Sequence, residues 1–215
     1  MKRIGIRALL FTAAIAFSAP SQSALLFSDD FDDDSATTVL DFNGLVHWNV
    51  VDGTVDYIRS GDFGIQCLGG TGGCIDLLGS QGTAGRLVSR QSFQLSPDVA
   101  YILSAQVSGN QRNAASNEFT LGFVDADTGA LIASGTSFGI LPTQPFEEQG
   151  LGFITGDPLE VRLFFESAGT NNVGPILDGV TFADLTSVPE PGALTLFALG
   201  LAALGALPTR RRPGR

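Results

Sequence analysis

Apolar and polar residues alternate with a period of two along most of the chain. Tyr101, Leu103, Ala105 and Val107 share one parity, as do Phe119, Leu121 and Phe123, and then Leu159, Val161, Leu163 and Phe165 against Glu160, Arg162, Phe164 and Glu166. That period places one set of side chains on one face of a strand. Further strands are predicted over His47–Val51, Thr54–Ile58, Phe63–Cys67, Cys74–Leu78, Arg86–Phe93 and Ile176–Ala183, with Asp125–Gly129 as a turn into a returning strand over Leu131–Ala133. Asp52-Gly53 predicts a two-residue hairpin between the first two of these, because a type I′ turn needs positive φ at both positions. No stretch between the ends has helical periodicity, and no repeat is visible. The pattern therefore predicts an all-β fold, a β-sandwich or barrel rather than a parallel sheet with helices.

The two ends break this pattern. Met1 to Ala24 has Lys2, Arg3 and Arg7, then an apolar stretch from Ala8 to Phe17, then small residues to Ala24. That order is a secretory signal peptide, with cleavage after Ser23 or Ala24, and the apolar stretch is too short for an anchor. At the other end Val188-Pro189-Glu190-Pro191 precedes an apolar run over Gly192–Leu207 and then Arg210-Arg211-Arg212. As a helix that run reaches roughly 24 Å, short of a bilayer core of about 30 Å, so it is a marginal transmembrane segment. The arginines hold the tail on the cytoplasmic side. The expected organisation is a signal peptide over 1–24, one domain over 25–187 and a C-terminal signal over 188–215.

Charge sharpens the picture of the domain. Between Leu25 and Ser187 there are five arginines, no lysine and 21 acids, a net charge of −16. Such a surface repels a phosphate backbone, which excludes nucleic acid as a partner. Cys67 and Cys74, the only cysteines, enclose a glycine-rich loop, and in an exported chain such a pair reads as a disulfide. Half of a metal site is the alternative, but no second Cys or His pair completes it.

Four groups of residues invite a chemical reading. Ser28–Ser35 holds five aspartates, of which Asp30, Asp32 and Asp34, with Asp41, fall at calcium-loop spacings; Ser35 stands where the turn glycine belongs, and no helices flank the segment. A calcium ion shared with other loops and a solvated acidic lead-in remain as readings. Gly135-Thr136-Ser137-Phe138-Gly139 matches a serine-hydrolase pattern, but the only histidine, His47, precedes it and Pro142 and Pro145 oppose the following helix, so a loop between strands is expected and no catalytic residue is assigned. Trp48, Tyr57 and Phe63 are the aromatics that could stack on a sugar, with core packing as the alternative. Asp178 shares a parity with Ile176, Val180 and Phe182. If that face is inward it needs a partner, and otherwise it sits at a bulge marked by Gly179.

Two resemblances follow from these residues. Val188–Arg212, with Val-Pro-Glu-Pro, the apolar run containing Gly200-Leu201, and the three arginines, resembles a PEP-CTERM sorting signal. That resemblance implies Sec-type export with signal-peptidase cleavage. It also implies transient inner-membrane anchoring, processing by an exosortase near Pro189-Glu190-Pro191, and delivery to the cell surface or to an exopolysaccharide biofilm matrix. Gly174–Phe182 resembles the final strand of galactose-binding-like jelly rolls, the architecture of many carbohydrate-binding modules. That implies a jelly-roll sandwich and a structural calcium ion held by Asp178 and one of Asp30, Asp32 or Asp34. Together they lead us to expect a non-catalytic glycan-binding or adhesion module, with a structural matrix protein and a glycan-active enzyme as alternatives.

Overall fold

The computed structural model describes residues 23–112, 117–169 and 172–185. Ser23–Thr186 forms one compact unit. The sorting signal over 188–215, including its apolar run, lies outside the described residues, as does all of the signal peptide but Ser23 and Ala24. Among the described residues no helix is long and apolar enough to cross a membrane.

The domain is an antiparallel β-sandwich of jelly-roll type. Its strands are β1 (Ala24–Asp29), β2 (Trp48–Asp52), β3 (Asp56–Arg59), β4 (Gly73–Asp76), β5 (Arg86–Ser89), β6 (Phe93–Leu95), β7 (Ala100–Ser108), β8 (Asn117–Asp125), β9 (Leu131–Ile140), β10 (Glu147–Ile154), β11 (Leu159–Ala168) and β12 (Ile176–Asp184). One sheet runs β10-β7-β12-β4-β3 with β1 also on β12; the other runs β2-β5-β11-β8-β9 with β6 also on β11. The alternating positions read from the sequence face each other between the sheets. Leu103, Ala105 and Val107 of the first meet Phe119, Phe123, Leu163 and Phe165 of the second in one buried core. Aromatic edges knit it together: Phe182 touches Phe93 at 5.1 Å between ring centres, and Trp48 touches Phe165 at 5.2 Å.

Several expectations fail for local reasons. Asp52-Gly53 is not a hairpin turn. β2 pairs with β5 while β3 pairs with β4, so the dipeptide carries the chain from one sheet to the other. Gly53 does have positive φ, but its deciding constraint is contact, since a Cβ there would lie 1.8 Å from the Ala84 carbonyl oxygen. Phe63–Cys67 is not a strand: Gly61, Phe63 and Gly64 all have positive φ, and the chain forms a 3₁₀ turn over Asp62–Gly64. Gly135–Gly139, expected as a loop, lies inside β9. β10 goes unrecognised in the sequence because a polar Gln149 sits on its half-buried face with Leu151 and Phe153, and an apolar Ile154 on its exposed one.

The strand β12 changes face partway. Asp178 opposes Gln106 and Thr181 opposes Ser104, so one extra residue of β12 is accommodated at Gly179, whose φ is 51°. Leu177, Val180 and Phe182 therefore point into the core, whereas Ile176 packs with Ile58, Ile65, Cys67 and Cys74 in a second apolar cluster. The expected common face of Asp178 with Val180 and Phe182 is broken by this bulge.

Candidate functional site: two carboxylate groups and a braced loop

Cys67 and Cys74 form a disulfide with Cα atoms 5.5 Å apart, buried in that second cluster. Because Tyr57 and Ile75 belong to the main core while Ile58 and Cys74 belong to this cluster, the disulfide lies on the opposite face of β3 and β4. Side chains from distant parts of the chain hold the loop it closes. Asp178 accepts from the Leu68 amide at 2.9 Å and from the Gly179 amide at 2.7 Å. Asp32 accepts from the Gly73 amide at 2.7 Å. Gln111 clamps both the amide and the carbonyl of Gln66. Burial pushes Asp178 up to about 6; its two amide donors oppose this, and the nearby Asp32 and Asp30 charges add to it. Another buried acid, Asp76, accepts from the Leu78 and Gly174 amides and pairs with Arg112 at 2.7 Å, while burial raises it to about 7.

A second group of carboxylates lines a cleft of about 340 Å³ formed by Ser28, Asp29, Asp30, Asp33, Asp34, Val46, His47 and Gly179, Val180 and Thr181 of β12. Burial raises both Asp29 and Asp34. The Phe31 amide and the Trp48 indole oppose the shift at Asp29, and the Val46 amide opposes it at Asp34. Asp34 Oδ1 accepts from Val46 at 2.6 Å, while its Oδ2 is buried without a hydrogen-bond partner.

The jelly-roll resemblance led us to expect Asp178 and one of Asp30, Asp32 or Asp34 on one calcium ion. The Asp32 and Asp30 charges both act on Asp178, and Asp30 also lines the cleft with Asp29, Asp33, Asp34 and His47. Both oxygens of Asp178 are occupied by amides. Among the described residues, the only three ligand-type atoms within 4.8 Å of one another belong to Cys67, Cys74 and Asp178, and the two sulfurs are already bonded together.

The aromatics also separate. Trp48 and Tyr57 are fully buried, correcting the expectation that they could stack on a ligand. Trp48 donates from its indole to Asp29 at 2.6 Å, and Tyr57 donates to the Ser35 carbonyl at 2.9 Å. Phe63 is 56% exposed at φ 52°, on the turn that leads into the disulfide loop. Ser137 donates to Gln149 at 2.5 Å, and the His47 ring packs edge-on against Phe27, so the pieces of a serine-hydrolase triad are engaged elsewhere.

Comparison with known proteins adds an architecture and a sorting motif. In fold, the chain is similar to the Stig cyclase Fisc of Fischerella sp. TAU, with a TM-score of 0.51 at 13% identity over 78% of this chain and 100% of that one. It also aligns with the CBM22-1 xylan-binding domain of Paenibacillus barcinonensis Xyn10C, with a TM-score of 0.45 at 14% identity over 79% of this chain and 100% of that one. A third match is the arabinofuranosidase MgGH51, with a TM-score of 0.49 at 14% identity over 73% of this chain. The chain spans only 25% of that enzyme's length. Likeness at such identities concerns fold alone. No curated protein sequence matches. Residues 187–212 match the PEP-CTERM protein-sorting motif, in agreement with the resemblance read from Val188, Pro189, Glu190, Pro191 and Arg210–Arg212.

Proposed function

We propose that this is an exported protein sorted through its C-terminal motif. An exosortase processes it near Pro189-Glu190-Pro191, and its sandwich acts at the cell surface or in an exopolysaccharide matrix as a non-catalytic glycan-binding or adhesion module. The observation that carries the reading is the sorting-motif match over 187–212. The Cys67–Cys74 disulfide fits it, since such bonds persist in oxidising compartments. Export engages the Sec machinery and signal peptidase at residues 1–24.

For ligand contact the reading rests on Phe63. An exposed aromatic in left-handed backbone, on a turn leading into a braced loop, presents a flat apolar face at little further ordering cost. Mass spectrometry of the surface-released protein tests the sorting half: the mature chain should lack Arg210–Arg212, and a released chain with that tail intact overturns the reading. Retention on the producing cell's own exopolysaccharide tests the binding half. Phe63→Ala should weaken it about tenfold, the equivalent of ~1.4 kcal/mol.

A further inference from the structure

From the sheet register and the place where the chain leaves the domain, we infer that the sandwich rests on the membrane surface through one apolar sheet face while its C-terminal segment is anchored. This rests on the sorting reading above, in which the apolar run over Gly192–Leu207 holds the chain in a bilayer before processing.

The face belongs to the sheet of β10, β7, β12 and β1, on the side away from the main core. Toward Ile176 it carries the disulfide and its cluster of Ile58, Ile65 and Phe146. Toward the other end of β12 it is open. Leu25 of β1 pairs with Ala183 of β12, Ala183 with Ile102 of β7, and Ile102 with Gly152 of β10, so these four form one row across the sheet. In the next row Ile154 pairs with Ala100, whose carbonyl accepts from the Leu185 amide. Leu25 is 63%, Ile154 62% and Leu185 44% exposed. A Cβ on Gly152 would meet nothing within 4 Å, so among the described residues no side chain covers the row there. The row beyond it, Ser28, Thr181, Ser104 and Gly150, is polar but uncharged. In a domain with a net charge of −16, these adjoining rows hold no charged side chain, and an exposed apolar patch of this kind marks an interaction site.

Position in the chain selects the occupant. β1 begins and β12 ends at this face, where Ala24 opposes Asp184. Six residues, 186–191, separate Leu185 from the apolar run. Fully extended, they let the face stand no more than about 25 Å from the bilayer core, of which the headgroup layer fills about 5–8 Å. The aspartates from Asp29 to Asp34 follow the far end of β1, so an anchored domain turns its exposed leucines toward lipid and its densest charge away. Tethering makes modest burial effective, because the face meets lipid at high local concentration. Asp157 and Asp98, whose amide donates to the Thr155 carbonyl, are exposed at the border beyond Ile154. Contact is therefore driven by apolar burial and not by attraction to anionic lipid.

The test reconstitutes the chain without its signal peptide, residues 24–215, in vesicles of dioleoylphosphatidylcholine carrying a photoactivatable phosphatidylcholine, and maps the labelled peptides by mass spectrometry. Label is expected around Leu25, Ile154 and Leu185, and not at Leu141, which is 58% exposed beside Gly109 beyond the other end of β7. Leu25→Ser/Ile154→Ser/Leu185→Ser should lower that label about tenfold without moving the unfolding midpoint, and Leu141→Ser should leave it unchanged. If the triple variant loses its fold, Ile154→Ser alone, read at Leu25 and Leu185, makes the same comparison. Replacing part of the lipid by phosphatidylglycerol should not raise the label. Label that is absent from the face, equal at Leu141, unchanged in the variants or dependent on the anionic lipid overturns the inference and leaves the sorting reading standing. So does crosslinking of the face to a second copy in place of lipid. A chain that fails to float with the vesicles overturns the anchoring itself, and this inference falls with it.

Discussion

The two carboxylate groups are neighbours on β1, β12 and the segment that follows β1, yet they are built for different ends. Asp178 and Asp32 are tied to amides of the disulfide loop, and each replaces contacts that the loop cannot make for itself. In the cleft, Asp30 and Asp33 are exposed, and Asp34 keeps one oxygen unpartnered. Asp178 and Asp32 are therefore acceptors that fix a loop, whereas Asp33 is an exposed charge. A dense aspartate run in a sequence does not by itself distinguish these roles.

Substitutions should expose the difference, beginning with the most buried acid. Asp76→Ala should cost about 3–5 kcal/mol in urea unfolding, because it leaves Arg112 and two amides uncompensated. An unchanged midpoint would mean that Asp76 is not tied in as described. Replacing both Cys67 and Cys74 by alanine should cost about 2–4 kcal/mol, and reducing the wild-type protein should lower its melting temperature in parallel. Asp178→Ala should cost about 1–3 kcal/mol by orphaning the Leu68 and Gly179 amides, whereas Asp178→Asn, which keeps an acceptor, should cost less. At the small end, Asp33→Asn should stay within about 0.5 kcal/mol of wild type; a larger loss would give the cleft a structural role.

Stability against pH sharpens the same contrast. Asp76 and Asp178 are raised in the folded state, so the native protein keeps protons that the unfolded chain has already released. Stability from these groups is greatest below the ordinary carboxylate pKa of about 3.9 and is lost as pH rises through about 6 and about 7. Asp29 and Asp34 are shifted in the same direction. Chemical unfolding measured from pH 4 to 8 should give a falling curve, and Asp76→Asn with Asp178→Asn should flatten it. A curve that rises over this range would contradict the burial of both groups.

Much of the sandwich was legible because β7, β8 and β11 are long and half-buried, so their period-two pattern directly reports which side faces the core. What was not legible depends on contacts distant in sequence. Asp52-Gly53 has the chemistry of a hairpin, but the approach of Ala84 and the pairing of β2 with β5 decide its use. Parity along Ile176–Phe182 left open an inward face for Asp178 or a bulge at Gly179, and the pairing with β7 decides for the bulge. Trp48 and Tyr57 could not be told from surface aromatics, because burial is a property of the opposite sheet. Phe63 stayed outside because positive-φ glycines on both sides turn the chain away.

The pairing of β1 with β12 bears on how the chain folds as well as on its final shape. Ala24 opposes Asp184 and Asp29 opposes Val180, so the first strand made is completed only by the last. Contacts so far apart in sequence form late, and until they form β1 offers an open edge to other chains. Only Leu185 and Thr186 separate the end of β12 from the start of the sorting motif at residue 187. A chain delivered N-terminus first thus acquires its closing strand just before its sorting signal. Completion of the domain and presentation of the signal are thereby placed almost together in time.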